Sequence, residues 1–373
     1  MNTVRRLDLG ERQRAVVPPV VPLTEGPSIA RERRARTLSR SASQARTELV
    51  DEITLVADGG VPENVRALAL RQLGCLSSAQ LREAGVSRPA IARRRASQRW
   101  RFPTSGVVDL GANPPSILTP QLRVRRAAVI ALLAFGPHAI AIGPSALALH
   151  GVQGLPSTMS PEVTVPGGGP RRDRGGVRCR ECIASETVVS PDGFLTIDPI
   201  VALAQTLVQL APREALGVLD SALHLQLLRG EGLTQVRRLT HRLRGPSRHR
   251  LPELEAVWAM ADGQRASPLE SWAYWDLVAA GLQPTDIQVE IRDPQRRLVA
   301  RGDIGFLRRD GTWLLIELQG RRNHVDADAV IDDGERRDDV MLEEHTVLEF
   351  WAVHLGAHGR MVRRVAQHLE RRP

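Results

Sequence analysis

Two apolar stretches near the end of this 373-residue chain constrain its fold more than any other feature, because each carries a single acid. Residues 300–305 contain Asp303, and residues 313–320 contain Glu317. The turn-forming run Arg308-Arg-Asp-Gly311 between them predicts a β-hairpin that brings both carboxylates to one edge of a sheet. Since Mg²⁺ prefers one or two carboxylates together with phosphate oxygens and water, the pattern predicts a magnesium site.

The charge of the chain indicates a polyanionic partner. It is +9 overall, and all 51 basic residues are arginine because the sequence contains no lysine. Residues 1–50 contain ten arginines and five acids, and residues 61–110 contain nine arginines and three acids. Residues 255–373 contain sixteen arginines and twenty-one acids. A basic front and an acidic back predict that the front binds nucleic acid while the back has another task. A carboxylate pair that holds Mg²⁺ is also how many nucleases activate water.

Residues 61–115 have the pattern of a winged helix-turn-helix domain. Helical spacing, serines that can cap helices and the tight turn Gly85-Val-Ser87 predict three short helices, and residues 101–110 read as a β-wing. In this motif the second helix of the turn enters the major groove of double-stranded DNA. The alternative is a solvated basic helix. The candidate DNA-binding residues are Arg88, Arg93, Arg94, Arg95 and Arg99.

The remaining chain divides into three further segments. Residues 1–60 are basic and without periodicity, which predicts a disordered arm, or a segment that is not made because the start is placed too early. Residues 116–245 alternate short helices and strands and form a predicted α/β unit without a catalytic constellation. A basic, breaker-rich linker at 242–252 leads to the last unit, residues 255–373.

Cysteine content and hydropathy predict the compartment. Three cysteines are too few for a disulfide framework, and no apolar run reaches membrane length. The expectation is a cytoplasmic protein with no membrane partner.

The C-terminal unit resembles restriction-endonuclease-like nucleases of the PD-(D/E)xK group, and more closely the very-short-patch-repair (Vsr) type of endonuclease domain. The resemblance lies in the order of a helix with Glu270, three strands with acids in the second and third, then helix, strand and helix. The matching motifs are Ser267-Pro-Leu-Glu270, Gly281-Leu-Gln-Pro284, Ile287-Gln-Val289, Gly302-Asp303, Ile316-Glu-Leu-Gln-Gly320 with His324, Arg336-Arg-Asp338 with Leu342, and Val347-Leu-Glu-Phe350.

The first half resembles the winged-helix and α/β domains of AbiEi-type antitoxins of type IV toxin–antitoxin systems. The matching segments are Gly74-Cys-Leu-Ser-Ser-Ala-Gln-Leu81, Gly85-Val-Ser87, Arg99-Trp100, Gly106-Val-Val108, Leu149-His-Gly151 and Val163-Thr-Val-Pro166. This resemblance implies a regulatory DNA-binding protein, with a nucleotidyltransferase-type toxin as its partner.

The nuclease resemblance implies that Asp303 and Glu317 hold Mg²⁺ and that Glu270 supports this ion or a second one. Gln319 stands where the group carries lysine. Glutamine can orient a water molecule, but it is neither a general base nor a cation. His324 is the candidate substitute, as a base or as an acid to the leaving group. Nine acids in residues 326–344 also repel a DNA backbone unless a metal or the basic front compensates.

The sequence therefore predicts an α/β multidomain protein with a winged helix-turn-helix, an α/β middle domain and a C-terminal restriction-endonuclease-like α/β/α domain. Two functions remain open. One is Mg²⁺-dependent hydrolysis of DNA phosphodiesters. The other is an antitoxin-like transcriptional regulator in which the nuclease fold is a scaffold and the acids of the hairpin are merely solvated.

Overall fold

Helices and three β-sheets make up the part of the chain that the structure describes, which is therefore a mixed α/β protein. The computed structural model describes residues 53–56, 61–166, 172–181, 187–243, 251–292, 298–320, 345–356 and 358–371. The proposed linker residues 244–250, the acidic segment 326–344 and most of the N-terminal arm lie outside these ranges.

Helices and strands alternate along most of the chain. The helices are α1 (Glu63–Arg71), α2 (Ser78–Glu83), α3 (Arg88–Ala96), α4 (Pro120–Phe135), α5 (Gly143–Leu149), α6 (Pro199–Leu207), α7 (Pro212–His224), α8 (Gly232–Arg242), α9 (Leu251–Met260), α10 (Pro268–Ala279) and α11 (Arg360–Arg371). The strands are β1 (Cys75–Ser77), β2 (Val107–Asp109), β3 (Ile140–Ala141), β4 (Glu162–Thr164), β5 (Arg178–Cys179), β6 (Thr187–Val189), β7 (Leu195–Ile197), β8 (Asp286–Arg292), β9 (Leu298–Leu307), β10 (Trp313–Gln319) and β11 (Thr346–Trp351).

Hydroxyl side chains start several helices, as the sequence predicts. The Ser77 hydroxyl accepts from the Gln80 amide nitrogen at the start of α2, and the Gln80 side chain accepts from the Ser77 amide nitrogen. Ser87 caps α3 and Ser267 caps α10 through their hydroxyl oxygens. Each cap satisfies a backbone donor that would otherwise lack a partner, so these helix starts are encoded locally.

The three sheets differ in size and direction. β1 and β2 form an antiparallel pair. A five-stranded mixed sheet has the order β5-β4-β3-β7-β6, and the C-terminal sheet has the order β11-β10-β9-β8. In the C-terminal sheet β9 runs antiparallel to both neighbours, whereas β10 and β11 are parallel. The succession of helix and strands in the C-terminal unit matches the sequence expectation, and its predicted helix at about 328–344 lies outside the described residues.

One hydrophobic core extends from Ile53 to Val257 and joins the predicted front and middle units. Residues 53–56, assigned to the disordered arm, are instead packed: the Val56 amide nitrogen donates to the Leu110 oxygen at 2.8 Å, and Ile53 is buried. The arm prediction is therefore wrong for these four residues, because their backbone pairs with residues 110–112 and the side chains of Ile53 and Leu55 are buried.

The middle and C-terminal units also pack closely. α7 lies against α10, where Arg213 donates to both carboxylate oxygens of Asp276 at 2.8 and 2.9 Å. The predicted boundary at 255 falls inside α9, whose Leu254 belongs to the first core. The last two residues of the proposed linker, 251 and 252, also lie in α9. Proline is compatible with the first turn of a helix, so Pro252 did not mark a break.

Smaller cores complete the C-terminal sheet. α10 and α11 cover one hydrophobic cluster that includes Ile304, Ile316 and Phe350. A second cluster contains Val289, Ala300 and Leu315. Among the described helices, none has both the length and the apolar character needed to span a membrane.

Candidate functional site

The predicted hairpin is present, and its turn forms for local reasons. β9 and β10 pair antiparallel from Leu307–Trp313 to Ile304–Ile316. At the turn, Gly311 has a φ of +82°, and the Asp310 carboxylate accepts from the Thr312 amide nitrogen at 2.9 Å. A positive φ is readily adopted by glycine, which is why the turn occurs at this position.

Asp303 and Glu317 lie where the hairpin strands separate. The last pair between β9 and β10 is Ile304–Ile316. Beyond it β9 stays paired with β8, and β10 stays paired with β11 as far as Gln319. We call this separation point the fork. Next to it, the Leu318 amide nitrogen donates to Asp303 Oδ2 at 2.8 Å, so a side chain replaces the missing strand partner.

Glu270 reaches the same region from α10. It is almost fully buried, and it forms no ion pair within 4 Å among the described residues. Instead its Oε1 accepts from the Ser267 hydroxyl at 2.7 Å, and its Oε2 accepts from the Ala266 amide nitrogen at 3.0 Å and from Gln288 Nε2 at 2.8 Å. Glu270 is thus oriented by hydrogen bonds from its own unit.

Asp303 is close enough to both Glu270 and Glu317 for the charges to interact. Burial raises the pKa of Glu270, and the Asp303 charge raises it further, although the Ser267 hydroxyl opposes both. Burial also raises the pKa of Asp303, against the hydrogen bond from Leu318 and the Arg301 guanidinium. Burial raises the pKa of Glu317, to which the charges of Glu349 and Asp303 add. A cation placed at the fork would relieve this repulsion.

Asp303 and Glu317 therefore fit the partial ligand set that Mg²⁺ accepts, two carboxylates with the remaining positions left to water and phosphate. Within the described ranges, no group of three or more His, Cys, Asp or Glu side chains is placed so that it could hold a metal ion.

Gln319 lies beside the acids, while His324 lies outside the described residues. The Gln319 side chain hydrogen-bonds the Glu317 carboxylate and lowers its pKa. Arg336, Arg337 and Asp338 also fall outside the described part of the chain. The glutamine that replaces the expected lysine is therefore a neutral neighbour of the predicted metal ligands.

Sequence reasoning assigned no role to two further residues at the fork, Gln288 and Arg301. Gln288 lies in β8 with a φ of +52°, a conformation that is costly for a residue with a side chain. Its Nε2 donates to Glu270, and its Oε1 accepts from an Arg301 nitrogen at 2.9 Å. Gln288 belongs to a motif of the nuclease resemblance, which was the only signal for it. Arg301 stands two residues before Asp303, and nothing in the sequence marked it as a functional residue.

The five candidate DNA-binding arginines lie on or just after α3, which has no buried residue. Arg88, Arg93, Arg95 and Arg99 are exposed. Arg94 is half-buried with its guanidinium 4.7 Å from the ring centre of Trp100, and Arg95 lies 4.5 Å from that of Phe102. Arg94 therefore supports the packing of α3, whereas Arg93 projects from the exposed part of the helix.

Strand pairing next to α3 resembles a short wing. Arg101 and Asp109 exchange backbone hydrogen bonds of 3.2 and 2.9 Å, and Gly106 has a φ of +79° in the connection between them. The buried Asp109 carboxylate pairs with Arg101 and with Arg126 of α4, so ion pairs link this strand pairing to α4.

A scan against protein-family models found no match to this chain, and neither did a search of curated proteins. The resemblances to nucleases and to antitoxins therefore rest on the sequence motifs themselves.

Proposed function

We propose that this protein binds double-stranded DNA through residues 61–115, as a winged helix-turn-helix, and hydrolyses DNA phosphodiesters at the fork of a restriction-endonuclease-like C-terminal domain. The observation that carries the proposal is the fork itself. It holds Asp303 and Glu317 together at a strand separation, with Glu270 beside them.

Mg²⁺ would be held by Asp303 and Glu317, and it would supply a polarised water molecule and charge neutralisation at the phosphate. The protein's own contribution is positional. Leu318 fixes the Asp303 carboxylate through its amide nitrogen, and Gln319 contacts Glu317, from where its amide can orient the attacking water.

Metal binding and cleavage can be tested on the full chain. Millimolar Mg²⁺ or Mn²⁺ should raise the unfolding temperature, because an ion bound only by the native state stabilises it by mass action. Asp303→Asn and Glu317→Gln should abolish both this shift and metal-dependent nicking of plasmid DNA. Asp286→Asn is the matched control, since Asp286 is an exposed acid at the start of β8. No shift and no nicking by the wild-type protein would refute the nuclease.

DNA binding is supported by the exposed arginines of α3 and needs a separate test. Arg93→Ala should weaken binding to duplexes of any sequence and reduce the salt dependence of log K by about one unit of slope, as expected for one lost phosphate contact. Arg94→Ala should instead lower the unfolding temperature, because it removes the contact with Trp100. Binding that does not depend on salt would contradict the proposed interface.

A second function shares the DNA-binding half. Glu270 has its carboxylate occupied by three donors of its own chain, and Gln319 brings no charge, both of which suit a scaffold. In this alternative the protein is a non-catalytic, antitoxin-like regulator, and a nucleotidyltransferase-type toxin is its partner. Normal DNA binding together with no cleavage at any metal concentration would favour it.

A further inference from the structure

Phosphodiester hydrolysis at the fork requires a positive group that this chain supplies in an unusual way. The transition state carries extra negative charge on the non-bridging phosphate oxygens, which fixed cations stabilise strongly in a water-poor site. Gln319 brings no charge to the position of the expected lysine, and the chain contains no lysine at all. A cation at the fork must therefore be an arginine or the metal itself.

Among the arginines that the structure describes, Arg301 is the one best placed for this task. It lies on β9 just beyond the fork, two residues from Asp303, and its side chain is exposed. Its charge acts on both Asp303 and Glu317, yet no ion pair within 4 Å joins it to either acid among the described residues. The guanidinium is close to the predicted metal ligands without being neutralised by them.

The side chain of Arg301 is held by a chain of hydrogen bonds that begins in α10. Ser267 donates to Glu270, Gln288 Nε2 donates to Glu270, and Arg301 donates to Gln288 Oε1. This order fixes the orientation of the Gln288 amide, because a flipped amide would place its NH₂ against the guanidinium and its oxygen against the carboxylate. Gln288, whose backbone has a φ of +52°, thus bonds to both Glu270 and Arg301.

We propose that Arg301 is the cationic catalytic residue of this site, donating hydrogen bonds to the non-bridging oxygens of the scissile phosphate, and that Gln288 and Glu270 are positioning residues for it. The inference rests on the proposed nuclease function. It assigns to Arg301 the role of the cation that Gln319, in the place of the expected lysine, does not supply. A guanidinium suits it, since its planar donors match two phosphate oxygens at once.

In this reaction a water oxygen forms a bond to phosphorus, and the phosphorus–oxygen bond to the leaving sugar breaks. One proton of the water passes through solvent to the leaving oxygen, and the other stays on the new phosphate monoester until solvent removes it. Arg301 neither gives nor takes a proton, because its guanidinium stays charged throughout. Its contribution is electrostatic and orienting.

The decisive variant is Arg301→Gln, assayed on the full chain with plasmid DNA and Mg²⁺. The rate of cleavage should fall by about 100-fold or more, the range measured when one transition-state donor is removed elsewhere. The Mg²⁺-induced rise in unfolding temperature should persist or increase, because a positive charge beside two carboxylates has been removed. Arg309→Gln, at the exposed end of the β9–β10 turn, changes the charge equally and should leave cleavage unchanged.

Two further variants separate catalysis from folding. Gln319→Lys in the Arg301→Gln background should recover at least about tenfold of the lost rate, because it returns a cation to the neighbourhood of Glu317. Gln288→Gly should relieve the backbone strain at a positive φ and so keep or raise the unfolding temperature, yet lower the cleavage rate. A stable Gln288→Gly variant with normal cleavage would show that Gln288 does not position Arg301.

The outcomes distinguish this inference from the function on which it rests. A wild-type protein with neither a metal-dependent shift nor cleavage would overturn both. A wild-type protein that cleaves, together with an Arg301→Gln variant that cleaves within about threefold of it, would overturn the role of Arg301 alone. Loss of cleavage with the metal shift retained, and rescue by Gln319→Lys, would support it.

Discussion

Acids that are buried or half-buried have different partners in the two halves of this molecule. In the first core, Asp109 pairs with Arg101 and Arg126, and Glu162 faces Arg178 and Arg180. Near the fork, Asp303 and Glu317 influence each other and have no ion pair within 4 Å among the described residues. Paired acids of the first kind join elements of the fold. Acids kept near one another without such partners mark a place where the charge has another use.

The paired acids show what the arginines of this chain do for the architecture. Arg126 links α4 to β2, and Asp220 of α7 pairs with the buried Arg265 just before α10, with 2.6 Å between Arg265 Nε and Asp220 Oδ2. Arg213 and Asp276 join α7 to α10. A basic composition therefore serves the interior as well as a polyanionic partner, so net charge alone is a weak indicator of DNA binding.

The largest contrast should appear between Asp220 and Asp303. Asp220→Ala should destabilise the protein by about 3–5 kcal/mol, because it leaves the buried Arg265 charge without its partner. Asp303→Ala should leave the stability in metal-free buffer unchanged or slightly higher, since it relieves repulsion. Chemical denaturation monitored by circular dichroism measures both. Equal losses for the two variants would remove the distinction between paired and unpaired acids.

A control for the Asp220 result removes both charges. The double variant Asp220→Ala/Arg265→Ala should be less destabilised than the sum of the single variants, because the unpaired buried charge is then absent. Additive losses would mean that the ion pair contributes little and that packing around α7 dominates.

A smaller effect is expected at Glu162, whose arginine partners are half-exposed. Its carboxylate is buried, but the Arg180 side chain is 41% exposed and that of Arg178 is 56% exposed. Solvent screens such a pair, so Glu162→Gln should cost about 1 kcal/mol or less. Cleavage of DNA should not change, because Glu162 belongs to the five-stranded sheet. A loss of cleavage at unchanged stability would show that the middle unit contributes to the chemistry.

The sequence predicts those features that depend on neighbouring residues. Serine caps at 77 and 87, the turn at Gly311 and the apolar strands β8 to β10 all form from local preferences, and each was found where the pattern indicated. The two acids of the hairpin could be placed close together for the same reason, since two paired strands fix the spacing of their residues.

Features that depend on distant contacts were missed. The strands β6 and β7 have three residues each, too few for a periodic pattern, and they exist because β7 pairs with β3. The fork forms because β10 stays paired with β11 beyond the point where its pairing with β9 ends. No local signal in the sequence encodes this difference. Gln288, which accepts from Arg301, has a positive φ that residues other than glycine seldom adopt, so no local pattern predicts it.

The smallest predicted effect concerns pH and tests the unpaired acids directly. Burial raises the pKa values of Asp303 and Glu317 in the folded protein above their unfolded values of 3.8 and 4.5. Protonation of these acids therefore stabilises the fold. This stabilisation is complete when the pH is below the pKa values of the unfolded state, and it is lost as the pH rises through the raised pKa values of the folded state. Asp303→Asn removes this dependence for one acid. Its unfolding temperature should be closest to that of the wild-type protein near pH 4 and should exceed it at pH 8.

Magnesium extends the comparison of unfolding temperatures between the wild-type protein and Asp303→Asn, because we expect the ion to bind only the wild-type protein at this site. At pH 8 the ion should bind the ionised acids, raise the unfolding temperature of the wild-type protein and reduce or reverse its deficit relative to Asp303→Asn. At pH 4 the protonated acids should bind no metal, so Mg²⁺ should have no effect on either protein. Scanning calorimetry of the two proteins at both pH values, with and without Mg²⁺, measures every one of these differences. An equal response of the two proteins to Mg²⁺ at pH 8 would mean that the ion binds elsewhere and that the raised pKa values at the fork reflect burial alone.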